Sequence, residues 1–101
     1  MQFIVTGYDG TDEGAMERRL AVRADHMKLV ESMQKEGKHL YGLAILDENE
    51  KMIGSILVVD FPTREALDEW LKIEPYVTGD VWRQIEVRPC KVAPVFMSLH
   101  Q

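Results

Sequence analysis

About a quarter of the way along this 101-residue chain, His26 falls inside an apolar stripe. Wound at 100° per residue, the segment brings Ala15, Val22, Leu29, Val30 and Met33 together, with Lys28, Glu31 and Lys35 opposite. An imidazole enclosed on that face must find polar partners or suffer a desolvation cost of about 1–3 kcal/mol. The residue has two readings. A core histidine would be satisfied by backbone or by a neighbouring side chain. A histidine beside a carboxylate could move a proton near neutral pH, since its unperturbed pKa of about 6.5 lies there. Asp25 is adjacent in sequence but points about 100° away on a helix, so a carboxylate partner would arrive from another segment.

Three arginines, Arg18, Arg19 and Arg23, cluster just upstream, where a guanidinium fork could hold a substrate carboxylate or phenolate. The competing reading is a solvated face, and for Arg19 that reading is preferred. Ser55, beside Gly54, could offer a pocket hydroxyl or serve close packing; no base lies near it in sequence to make it a nucleophile. His39 and His100 show no metal-ligand spacing with His26, and Cys90 is the only cysteine, so neither a metal nor a disulfide is expected. No cofactor is expected either. Trp70, Trp82 and Tyr76 fit core or subunit packing better than an aromatic cage.

The elements that must position these residues can be read from their periods. Phe3 to Tyr8 is β-branched and aromatic and runs into the turn residues Asp9-Gly10-Thr11-Asp12, which predicts a first strand. Glu17 to Glu36 lacks proline and glycine and stops at Gly37, which predicts a long helix. Leu20 and Met27 lie off its apolar stripe, so the helix bends near Arg23 or a second surface packs on that flank. Leu40–Leu46 and Met52–Phe61 read as antiparallel strands joined by a polar loop. Thr63 is an N-cap for a second helix carrying Ala66, Leu67, Trp70 and Leu71, the run Glu74 to Asp80 is a structured turn, and Trp82 to Val92 is a fourth strand.

The order β-α-β-β-α-β is that of the ferredoxin-like α+β fold, a four-stranded antiparallel sheet with both helices on one face and strands one and three central. Ile53 to Val59 is apolar on both alternating sets, so this strand needs a cover on each face. The helices supply one, and a partner's sheet is the economical second, which makes a homodimer the expected assembly. Residues 1–92 form one domain on this reading. The tail, 93–101, carries Val95, Phe96, Met97 and Leu99 and is read as an arm packing on the partner subunit, against the alternative of a frayed end. A formal net charge of −5 with no basic run disfavours nucleic acid, and the third strand lacks the aromatic and basic residues of an RNA-recognition sheet. No stretch approaches the ~20 apolar residues of a membrane span, and the amino terminus has no basic leader, so the cytoplasm is the expected compartment.

Taken together, Glu17-Arg18-Arg19-Leu20-Ala21-Val22-Arg23 with His26, then Gly54-Ser55, Glu74-Pro75-Tyr76-Val77 with Gly79, and Val87-Arg88-Pro89 resemble the YCII-related (YciI-like) family. The resemblance spans the chain from the first strand to about Lys91. It implies a dimeric α/β barrel and a site in which a histidine on the first helix, here His26, acts with an aspartate. The family's turn reads Asp-Pro-Tyr where this chain has Glu74-Pro75-Tyr76, so the acid is kept with a reach one methylene longer. The second strand also departs, with Tyr41-Gly42-Leu43-Ala44 where many relatives have Ala-Gly-Pro. Members with an assigned role resemble lyases acting on chlorinated hydroxy-aromatics. The resemblance therefore implies His26 and Glu74 as the catalytic pair, and the residue types and positions themselves make Arg18, Arg23, Ser55 and Tyr76 substrate-binding candidates.

Two functional classes stay open on these grounds. One is a small enzyme of elimination or isomerisation type, working by acid/base chemistry on a small polar molecule, aromatic ones among them. The other is a homodimeric module that binds a small ligand or assembles without catalysis.

Overall fold

In the computed structural model, which describes residues 1–100, the amino-terminal β-branched run forms β1 (Gln2–Asp9) and the glycine- and proline-free stretch forms α1 (Ala15–Lys35). The helix stops as its sequence dictates. Gly37 takes φ +75°, its N–H donates to the Gln34 carbonyl at 3.1 Å, and Lys38 N–H reaches back to the Met33 carbonyl at 2.9 Å. This pair of bonds satisfies carbonyls that the helix end leaves open, in the geometry that glycine adopts without a Cβ penalty. Strands β2 (His39–Leu46) and β3 (Met52–Asp60) come next, joined by a turn in which Asp47 Oδ1 accepts N–H groups from Asn49 at 2.8 Å and Lys51 at 3.0 Å.

Thr63 caps α2 (Arg64–Leu71), its hydroxyl accepting the Ala66 N–H at 3.1 Å. The short α3 (Pro75–Thr78) has proline at its first turn and leads into β4 (Trp82–Cys90). The sheet order is β2-β3-β1-β4 with every pairing antiparallel, so the ferredoxin-like arrangement with central β1 and β3 is the observed fold. None of its helices is long and apolar enough to cross a membrane, among the described residues.

Directly opposed residues of an antiparallel pair point to one face. On the helix side, Phe3 faces Val59, Val5 faces Leu57 and Val87, and Gly7 faces Ser55 and Ile85. These side chains meet Leu67, Trp70, Phe61, Tyr76 and Trp82 in one core. The other face carries Ile4, Ile56 and Val58, with Tyr41 and Leu43 on β2, and no helix of the ferredoxin-like unit covers it.

The tail is locally helical. Residues 94–100 turn into a four-residue helix, α4 (Pro94–Met97), and a 3₁₀ turn (Ser98–His100), because Pro94 opens the turn and the Phe96 N–H finds the Ala93 carbonyl. They touch their own chain: the Tyr41 hydroxyl donates to the Phe96 carbonyl at 3.4 Å, and the His100 ring stands edge-on to Tyr41. Val95, Phe96 and Leu99 remain exposed. Gln101 lies outside the described residues.

Strand β1 makes room for the first side chain of β4 at Gly7. A Cβ on Gly7 would lie 2.3–2.6 Å from the Trp82 indole, which rests on the glycine's bare face. Gly7→Ala is therefore expected to cost about 1–3 kcal/mol by overpacking. Urea unfolding should register the loss, and the near-ultraviolet circular dichroism of the tryptophans should change with it.

Candidate functional site

Helix α1 buries a polar face. Its fully buried residues are Arg19, His26 and Met33, with Val22 and Leu29 half-buried between them. These five positions recur at intervals of three and four, which is the helical period. The side chain of His26 is stacked on the Tyr76 ring, centroids 3.9 Å apart, with the Trp82 indole edge-on at 6.4 Å. Its Nδ1 atom is hydrogen-bonded to Oε1 of Glu74, and Glu74 is only 1% exposed.

Glu74 arrives there because it is the N-cap of α3. Its extended backbone precedes Pro75, and Oε1 also accepts the Tyr76 N–H at 3.1 Å. Helix α3 in turn sits close against α1: a Cβ on Gly79 would lie 2.9 Å from Val22. With Nδ1 committed to the carboxylate, Nε2 is the atom of His26 left to meet a ligand.

Beside this pair lies a cavity of about 260 Å³, between α1 on one side and β2 and β3 on the other. Arg19, Arg23, His26, His39, Ser55 and Tyr76 supply its polar lining. Met27, Val30, Ala44, Met52 and Leu57 supply the apolar walls. Of the residues that the sequence singles out, His26, Arg23, Ser55 and Tyr76 border this cavity, and Glu74 reaches it through His26. Arg18 does not. Its guanidinium is engaged by Asp12, with both contacts at 2.7 Å, and by the Asp80 carbonyl at 3.0 Å. Reading Arg18 as a substrate fork is thus corrected by its position: the arginine straps the loop after β1 to the loop before β4. That neighbour also holds the Asp12 carboxyl well below the usual range.

Arg19 requires the opposite correction. Sequence favours a solvated face for it, yet the residue is 3% exposed. Its Nη1 contacts both oxygens of buried Asp9 at 3.0 and 3.1 Å, its Nη2 donates to Ser55 Oγ at 3.0 Å, and its guanidinium lies 4.7 Å from the centre of the Tyr76 ring. Burial pushes the Asp9 carboxyl up, against the pull of Arg19. Burial also pushes the Tyr76 phenol up, which keeps it protonated. The signal that marks Arg19 is its spacing, four before Arg23 and seven before His26, on the buried side of the helix. Composition hides it, because arginine on a helix is solvated in most cases. Arg23 is exposed at the cavity and is free of the ion pairs that hold Arg18 and Arg19.

His39, unassigned from sequence, borders the same cavity at 3% exposure, and burial together with the nearby His26 pulls its imidazole below the usual range. Three of the buried polar atoms without a well-formed hydrogen bond belong to residues that line this space: Nε of Arg19 and both ring nitrogens of His39. Such groups are costly to leave unpaired, so their grouping marks a place shaped for polar contents. Among the described residues no cluster of three metal-ligating side chains occurs.

Known proteins resemble this chain along nearly its whole length. The YCII-related domain matches residues 1–91. Protein YciI of Escherichia coli is 28% identical over 97 residues, which span 90% of this chain and 97% of that protein. An uncharacterised protein of Haemophilus influenzae is 33% identical over 82 residues, 75% of this chain and 84% of that one. Among solved structures, 5-chloro-2-hydroxyhydroquinone dehydrochlorinase (TftG) of Burkholderia phenoliruptrix, in complex with 2,5-dihydroxybenzoquinone, superposes with a TM-score of 0.78 at 18% identity. That match covers 92% of this chain and 96% of the other. An antibiotic biosynthesis monooxygenase superposes with a TM-score of 0.52 at 18% identity, covering 92% of this chain and 98% of the other.

The two arginines should separate in a stability measurement. Arg19→Met leaves Asp9 buried without its partner and is expected to cost about 3–5 kcal/mol at neutral pH. The cost should shrink as pH falls, because Asp9, already pushed up by burial, takes up a proton and the unpaired charge disappears. Arg18→Met should leave the urea midpoint nearly unchanged at either pH, since that pair is open to solvent.

Proposed function

The chain belongs to the YCII-related family, and we propose that it is a small acid/base enzyme in which His26, oriented by Glu74, transfers a proton on a small polar molecule bound in the adjoining cavity. The observation that carries this reading is the pairing of His26 Nδ1 with a buried carboxylate at the wall of that cavity. A carboxylate on Nδ1 fixes the tautomer, directs the basic Nε2 lone pair outward and stabilises the imidazolium that forms when a proton is taken. Arg23 is suited to hold an anionic end of the ligand, Ser55 and Tyr76 to hydrogen-bond its polar edge, and the apolar walls to enclose a flat ring.

Elimination fits this equipment. From the keto tautomer of a hydroxylated ring, whose leaving group sits on a saturated ring carbon, Nε2 of His26 removes an O–H or C–H proton. The electron pair forms the new double bond and the anionic leaving group departs, so that one proton and one anion are lost overall. The name of the dehydrochlorinase with which this chain shares its fold describes a reaction of that class on a hydroxylated ring. The family's usual aspartate is replaced here by Glu74, and the caps and stacking around it support the longer side chain in the same task.

We also infer that the working form is a homodimer. The open sheet face presents Ile4, Ile56, Val58, Tyr41 and Leu43, an apolar surface suited to a second copy's sheet. The exposed Val95, Phe96 and Leu99 of the tail supply further apolar area for the partner. Light scattering at micromolar concentration should give twice the mass of one chain; a single-chain mass would sink this assembly.

The chemistry is tested by chloride release from 5-chloro-2-hydroxyhydroquinone, with 2,5-dihydroxybenzoquinone as the binding probe. His26→Gln should lower turnover by roughly 10²–10⁴-fold while quinone affinity and thermal midpoint change little. Binding of the quinone by the unaltered protein without any chloride release would favour the non-catalytic ligand-binding reading instead.

A further inference from the structure

His39 is the buried polar group that proton transfer leaves without a task. It opens β2 on the wall facing α1, across the cavity from Arg23 and His26, and neither of its ring nitrogens makes a well-formed hydrogen bond, with only a weak approach to the Tyr41 backbone. Register sets it opposite Val59 on the helix side of the sheet, where an aliphatic residue would pack without an unpaired polar atom. A bulge between His39 and Tyr41 shifts the strand there, and the ring lies beside Gly42. A Cβ on Gly42 would come within 3.2 Å of His39 Nε2, so a side chain there would press on the imidazole until one of them shifted by a few tenths of an ångström.

We propose that His39 is a specificity-determining residue, which hydrogen-bonds an uncharged hydroxyl or carbonyl group of the ligand whose anionic end Arg23 holds. This rests on the reading of the cavity as a ligand site. Burial and the neighbouring His26 keep the imidazole neutral, against the smaller pull of Glu74 and of the Tyr41 backbone. A neutral imidazole offers one donor and one acceptor, which matches a hydroxyl and gives nothing to a second anion. Both nitrogens are closed to solvent, and a half-turn about Cβ–Cγ exchanges them with the ring carbons in the same volume. The ligand class that fits is a small hydroxylated carboxylate or phenolate with a flat apolar body: charge at Arg23, hydroxyl at His39, and Met27, Val30 and Met52 along its faces.

The test uses benzoate and the three monohydroxybenzoates as probes, with calorimetric titration of the unaltered protein and of His39→Leu. At least one hydroxylated isomer should bind the unaltered protein about fivefold or more tightly than benzoate, the increment of one hydrogen bond. His39→Leu should bind benzoate as before and lose that increment, with a thermal midpoint that does not fall. His39→Gln, which keeps a donor and an acceptor, should retain part of it. In the unaltered protein the preferred isomer should shift the ¹⁵N resonances of the His39 ring, and benzoate should not. An increment that survives in His39→Leu, a ring resonance that stays still, or benzoate binding with no gain for any isomer would overturn the assignment while leaving the cavity's anion site intact. Failure of all four probes to bind the unaltered protein would remove the anion site itself, and the His39 assignment with it.

Discussion

A carboxylate taken out of water loses hydration worth several kcal/mol, and it stays ionised only where donors replace that hydration. Glu74 answers that loss in part, with Oε1 serving two neighbours, the Tyr76 backbone and the His26 ring, while Oε2 has no partner. The arrangement ties three parts of the molecule. The backbone bond starts α3, α3 lies on Val22 of α1, and the side-chain bond returns to α1 at His26. Tyr76, the first residue after Pro75, is thereby laid flat on the imidazole that its own N–H helps to orient. Displacing the carboxylate would loosen the cap, the stack and the tautomer together.

The same logic explains why α1 is a weakly amphipathic helix that nevertheless has a well-defined buried side. Two of its three fully buried residues are Arg19 and His26, and each is answered by an acid from elsewhere: Asp9 at the end of β1 and Glu74 before α3. Apolar packing is concentrated on the other half of the layer, around Phe3, Val59, Leu67 and Trp70. The half of the helix–sheet interface facing β2 is left with a cavity and with unpaired polar atoms. A domain of this size has little stability to spare, so polar groups kept unpaired are a feature that binding contents would relieve. Packing and cavity are divided along the sheet: β1 and β4 side with the core, β2 with the cavity.

Much of the architecture was legible in the sequence because it depends on local periods and on turn chemistry. Gly37, Thr63 and Pro75 each mark a helix boundary through backbone constraints that act within a few residues. The two-sided apolar character of Ile53 to Val59 identified a central strand, and the sheet order agrees. The family too was legible, from the arginine–histidine helix start and the acid-proline-tyrosine turn. The local form of the tail was not among the readings: Pro94 opens a short helix there.

What the sequence determined by itself, then, is the order of elements, their faces and the residue types available for chemistry, since alternation and helical period assign each side chain to a side. It could not say which of three neighbouring arginines is buried. Arg18 and Arg19 differ by one position, or about 100° around the helix. That rotation sends one to solvent-exposed Asp12 and the other to buried Asp9. Nor could it show that His39, at the start of a strand, closes the same space as His26, since the two meet only when β2 is laid beneath α1. Those outcomes were decided by tertiary structure, because the cost of an unpaired charge or imidazole depends on what the rest of the fold brings within about 3 Å of it.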